Sequence, residues 1–86
     1  MPKYDIQFKA SAAKEFRKLT SDIKARIQTA INALKAEPRP AGAKKLAGIP
    51  NLYRIRTGDY RIIYEIDEDS QIITVTRVRH RRDAYK

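Results

Sequence analysis

Eighty-six residues allow one domain with a modest core, and an apolar content of 42% is too high for a disordered tail. Nineteen Lys and Arg against ten Asp and Glu leave a net charge of +9, which points to a polyanionic partner because fixed positive charge releases counterions from phosphates. The absence of cysteine excludes disulfides, zinc–thiolate sites and a thiol nucleophile, and no stretch approaches the ~20 apolar residues of a membrane helix.

The opening segment, MPKYDIQFKA, carries no apolar run of signal-peptide length, so a soluble, cytoplasmic protein with no membrane partner is expected. Tyr4 to Phe8 alternates, with Tyr4, Ile6 and Phe8 on one side, and predicts a short first strand. Ser11 stands as the expected cap of a helix carrying Ala12, Phe16 and Leu19. Thr20-Ser21-Asp22 breaks that run and supplies a second cap. Ile23, Ile27, Ala30, Ile31 and Leu34 then form the apolar stripe of a second helix, and so short a join predicts a helical hairpin. That helix must stop by Glu37, because Pro38 and Pro40 cannot donate and restrict the residues before them. Pro38 to Pro50 is expected to be loop. Three strands follow: Leu52 to Arg56, Tyr60 to Ile66 and Gln71 to Val78, joined at Thr57-Gly58-Asp59 and at Asp67-Glu68-Asp69-Ser70. The order β-α-α-β-β-β predicts an α+β fold, a helical hairpin on one face of a small, mainly antiparallel four-stranded sheet, with residues 1–86 as a single domain.

The cations change kind along the chain. Up to Pro50, eight of eleven are lysine; from Asn51 onward, seven of eight are arginine, namely Arg54, Arg56, Arg61, Arg77, Arg79, Arg81 and Arg82. The planar guanidinium fork suits bidentate phosphate contact, whereas lysine is a hydrated point charge. Arg54 and Arg56 are two apart and share a strand face. With Thr57 to Tyr60 looping out, Arg61 becomes their cross-strand neighbour on that face. Like charges placed opposite one another are destabilising, so a protein that keeps them together has an anion to put there. The competing reading is that Glu65, Asp67 and Asp83 neutralise the patch as surface ion pairs. Composition alone does not choose between RNA, DNA and an acidic protein; Lys44, Lys45, Arg77, Arg79 and Arg82 are expected to extend the surface, as RNA-binding residues where the partner is RNA. His80, the only histidine, is either a surface residue or a proton carrier, and no histidine pair exists. Tyr85, set among cations, is either a stacking platform for an exposed base or a ring tucked against the sheet.

The runs Lys45-Leu46-Ala47-Gly48-Ile49-Pro50, Leu52-Tyr53-Arg54-Ile55-Arg56, Gly58-Asp59-Tyr60-Arg61-Ile62-Ile63-Tyr64 and His80-Arg81-Arg82-Asp83-Ala84-Tyr85 resemble the RelE branch of the RelE/ParE toxin superfamily over nearly the whole chain. The resemblance implies the toxin of a type II toxin–antitoxin pair, which enters the ribosomal A site and cleaves mRNA. It implies a cognate RelB-like antitoxin, an antitoxin complex that is a higher hetero-oligomer, and the ribosome and mRNA as partners. The implied chemistry uses no metal or cofactor. The RNA 2′-hydroxyl attacks the adjacent phosphorus and leaves a 2′,3′-cyclic phosphate and a 5′-hydroxyl. Arg61 with Arg54 would stabilise charge, Arg81 would assist the leaving group, and Tyr85 would hold the base. Arg56 stands where the family often has a lysine proposed as base, and guanidinium does not deprotonate in the ordinary range. Either Arg56 only stabilises charge, or the base is His80, Tyr85 or ribosomal RNA. Two other readings stand beside this one: a ParE-like inhibitor of DNA gyrase without nuclease activity, and a plain nucleic-acid binding module.

Overall fold

The computed structural model describes residues 3–82. Seven elements follow in the order β1 (Asp5–Phe8), α1 (Ala10–Arg17), α2 (Ser21–Ala33), β2 (Lys44–Lys45), β3 (Leu52–Thr57), β4 (Tyr60–Asp67) and β5 (Ile72–His80). The strands make one mixed sheet in the order β1-β5-β4-β3-β2, with β1 parallel to β5 and the other pairs antiparallel. The fold is α+β as expected, with five strands in place of four. The extra strand lies in the stretch expected to be loop. Lys44 and Lys45 pair with Arg54 and Tyr53 and cover the outer edge of β3, whose backbone groups would otherwise stand open. Two exposed lysines carry no apolar alternation, so nothing in their pattern announces a strand.

The first helix is capped differently from expectation, the second as expected. Lys9, in extended conformation, is the N-cap of α1 and precedes Ser11, which lies inside the first turn. The Ser11 hydroxyl instead donates across to the Thr76 carbonyl at 3.1 Å, fastening α1 to β5. Thr20 caps α2, and its hydroxyl donates to Asp22 in the first turn at 2.7 Å. That bond, with backbone amides, holds the Asp22 carboxyl below the usual range, which suits an anion at a helix N-terminus.

One apolar cluster fills the space between helices and sheet. Ala12 of α1, Ile27 and Ile31 of α2 and the adjoining Leu34 meet Ile55, Ile62, Tyr64, Ile66, Ile73, Val75 and Val78. The predicted helical stripe and the alternating strand positions therefore face each other, and each buried aliphatic side chain contributes about 1.5–3 kcal/mol. Beside this core a polar strap ties the α2–β2 connection down. Arg39 lies over the Tyr53 ring, 5.2 Å from its centroid, donates to its hydroxyl, and pairs with Glu68. Glu68 also accepts from the Tyr4 hydroxyl at 2.8 Å. The buried Tyr64 hydroxyl donates to the Pro38 carbonyl at 2.7 Å.

A bulge sets the sidedness of β5. Tyr64 pairs with Val75 but Ile63 pairs with Arg77, leaving Thr76 as a surplus residue. Its hydroxyl donates to the Ile63 carbonyl at 3.1 Å. The extra residue reverses the alternation, so Val75 and Val78 both face the core while Arg77 and Arg79 emerge on the opposite face. Among the described residues no helix is long and apolar enough to cross a membrane.

Candidate functional site

The sheet face turned away from the core carries two cross-strand rows of cations. Arg56, Arg61 and Arg79 are successive partners across β3, β4 and β5. Lys44, Arg54, Ile63 and Arg77 form the parallel row two residues further along. The expected neighbourhood of Arg54, Arg56 and Arg61 is therefore present, and the strands prolong it on both sides. The connection is tighter than expected: Thr57 and Tyr60 belong to the ladder, and only Gly58 and Asp59 turn.

That turn organises the end of the site. Asp59 offers its carbonyl to the Arg81 amide at 2.7 Å, which draws the chain beyond β5 over the hairpin. A recess of about 140 Å³ results, lined by Arg56, Gly58, Asp59, Tyr60, Arg61 and Arg81. Three guanidinium-bearing residues from β3, β4 and the post-β5 segment thus meet at one concavity. Arg54 shares the face but is only 8% exposed and does not line the recess. Arg82 is exposed, and its amide donates to His80 Nδ1 at 3.2 Å.

His80 does not line the recess. It pairs with Tyr60, whose ring meets the imidazole edge-on at 5.2 Å, and both sit on the core-facing side of the sheet. Lys45 likewise pairs with Tyr53 on the side away from Lys44, so only Lys44 extends the cation rows. Tyr85 and Asp83 lie outside the described residues.

Two of the three expected counter-charges, Glu65 and Asp67, are engaged elsewhere. Glu65 reaches Lys9 at 3.9 Å, and Asp67 accepts from the Asp69 and Ser70 amides. Among the described residues, a carboxylate that meets the arginine face is Glu15 of α1. Its Oε1 accepts the Val78 amide at 2.8 Å, and Oε2 lies 3.3 Å from Arg77 Nη2 and 3.6 Å from Arg79 Nε. No local signal marks Glu15, because its partners lie more than sixty residues away in sequence. At the other end of the sheet a cavity of about 360 Å³ is lined by Glu65, Asp67, Glu68 and Asp69 among others. The molecule is thus polarised, basic at the β3–β4 turn and acidic at the β4–β5 turn.

A fixed cluster of guanidinia in a recess can bind a phosphodiester and stabilise a developing phosphorane charge. The chain as a whole is similar to known proteins. Residues 6–85 match the family model described as the ParE toxin of the type II toxin–antitoxin system, parDE. Toxin RelG of Mycobacterium tuberculosis is 30% identical over 84 residues, covering 96% of this chain and 97% of that protein. The mRNA interferase toxin RelE of Escherichia coli is 31% identical over 86 residues, covering 95% and 90%. Among solved structures, the archaeal RelE–RelB complex from Pyrococcus horikoshii superposes with a TM-score of 0.81 at 27% identity, covering 92% of this chain and 96% of that one. The isolated E. coli RelE toxin gives 0.80 at 28% identity, covering 90% and 83%. Such full-length agreement in sequence and architecture makes the chain a member of the ParE toxin family of type II toxin–antitoxin systems, within its RelE branch.

Proposed function

We propose that this toxin is a ribosome-dependent endoribonuclease that cleaves mRNA in the ribosomal A site without a metal ion, and that a RelB-like antitoxin neutralises it. The observation that carries the reading is the convergence of Arg56, Arg61 and Arg81 on one recess. The E. coli relative at 31% identity is named an mRNA interferase, and the P. horikoshii and E. coli RelE neighbours include complexes with RelB, which supports the activity and the partner alike.

In the proposed step the ribose 2′-oxygen forms a bond to phosphorus while the bond to the 5′-oxygen breaks. The 2′ proton passes to a base, and water supplies a proton to the departing 5′-oxygen. Arg61 and Arg56 hold the non-bridging oxygens as charge accumulates, and Arg81 faces the leaving oxygen. Arg54, deeper in the sheet, reinforces the field from behind. A well-placed donor of this kind is worth about 3–4 kcal/mol. Tyr85 is assigned the stacking of a neighbouring base. Arg56 does not serve as the base, because a guanidinium keeps its proton, and His80 does not line the recess. The base is therefore assigned to Tyr85 or to ribosomal RNA. A site that borrows its base from the ribosome has a slow intrinsic rate in its absence.

Primer extension on a translated message tests the reading. Wild-type protein is expected to add A-site cuts with 5′-hydroxyl and cyclic phosphate ends, and Arg61→Ala to reduce them by about 10²–10³-fold. Absence of cuts from the wild type removes the proposal. The match to the ParE family model favours one second reading, a DNA gyrase inhibitor without nuclease activity. Gyrase-trapped DNA breaks with intact mRNA would establish it.

A further inference from the structure

The polarity of the arginine face raises a question of order: three cross-strand arginines repel one another, yet phosphate recognition needs them held in place. Surface ion pairs ordinarily contribute little, because two long side chains must be immobilised for one contact. Glu15 escapes that cost in part. Its Oε1 is already held by the Val78 amide at 2.8 Å, an amide lying past the point where β1 stops pairing with β5. Oε2 is then presented, without further loss of side-chain freedom, to Arg77 and Arg79 together. The contact is sheltered, with the Glu15 side chain 24% exposed and that of Arg79 29%. The helix that carries Glu15 is itself fastened to the bulge through Ser11 and the Thr76 carbonyl. Glu15 is also a fixed negative charge on a surface that the nuclease reading assigns to RNA, where a bystander would only weaken binding.

Resting on that reading, we propose that Glu15 is a positioning residue of the site: its carboxylate, anchored on the β5 backbone, holds Arg79 in line with Arg61 and Arg56. Removing its charge then has effects of opposite sign. The surface becomes more cationic and takes RNA at least as tightly, while the row loses its ordered end and cleavage slows.

The test uses the full chain with Glu15→Gln, which keeps an acceptor for the Val78 amide and loses the charge, together with Arg79→Ala and the double variant. Single-turnover cleavage on programmed ribosomes at saturation, affinity for a short RNA oligonucleotide across a salt series, and the Arg79 Nε–H nuclear magnetic resonance signal are measured. Glu15→Gln is expected to cut about tenfold more slowly while binding the oligonucleotide as tightly as wild type or more so. It should add no further loss to Arg79→Ala, and the Arg79 Nε–H signal should shift and exchange faster with solvent. Wild-type cleavage at saturation, losses that multiply in the double variant, or an unchanged Arg79 signal each overturn the assignment. If the wild type itself makes no cuts, the nuclease reading fails, and the Arg79 signal alone still decides whether Glu15 orders that side chain.

Discussion

Arg56 and Arg61 are direct partners across the β3–β4 ladder, two cations set opposite each other on one sheet face. Opposed like charges destabilise a sheet. Arg56→Gln is therefore expected to raise the melting temperature by a few degrees at low ionic strength. The gain should shrink as added salt screens the pair, while mRNA cleavage falls. Calorimetry across a salt series checks this, and a lower melting temperature at low salt contradicts it.

Acid should loosen the strap over Tyr53. The Arg39 guanidinium, and then the Tyr4 hydroxyl, hold the Glu68 carboxyl below the usual carboxylate range. A carboxylate depressed in the folded state stabilises above its unfolded value of about 4.3, and that contribution disappears as pH falls through the folded value. Glu68→Gln should melt below wild type at pH 7, and the two should converge as acidification protonates the Glu68 carboxylate. Parallel curves over that window would show that the cluster contributes nothing through Glu68.

Alkali probes the core from the other side. Burial pushes the Tyr64 phenol up to about 12, with Tyr53 adding to the rise and Arg39 opposing it. The folded state thus holds this proton more tightly than the unfolded chain, where the value is about 10. The associated stability is present below pH 10 and lost as pH rises from there through 12. Absorbance at 295 nm should show a late-ionising phenol that is missing in Tyr64→Phe. The same variant should lose about 1 kcal/mol at neutral pH, since the Pro38 carbonyl loses its donor.

Gly58 should prove intolerant for backbone reasons alone. Its φ is +56°, and an added Cβ would meet nothing within 4 Å. Gly58→Ala is expected to cost about 1–2 kcal/mol from the left-handed backbone. Cleavage should drop further than the lost stability explains, because the same turn presents the Asp59 carbonyl that holds Arg81. Urea titration beside primer extension separates the two losses.

Much of this architecture is legible from residue order. The stripe of Ile27, Ile31 and Leu34 and the alternation of Ile62, Tyr64 and Ile66 announce the elements and the face each one buries. The spacing of Arg56 and Arg61 about a tight turn places them side by side, as found. What stays hidden depends on contacts distant in sequence. Lys44 and Lys45 become a strand only because β3 has an open edge. Ser11 turns from helix cap to cross-link because β5 passes beneath it. Glu15 has the look of any helical surface carboxylate until β5 brings two arginines to it. His80 packs on Tyr60 because pairing of β4 with β5 sets them opposite each other.

The surplus threonine in the last strand has an evolutionary corollary. A strand is a two-sided alphabet, and Thr76 is where its reading frame shifts. Excise that single letter and the downstream parity inverts, driving two guanidinia into hydrocarbon and turning a valine out to water. Burying such charges without partners costs several kcal/mol apiece, more than so small a protein can absorb. Insertions and deletions in this stretch should thus be purged as strictly as frameshifts, even where substitutions at Thr76 that keep the length survive.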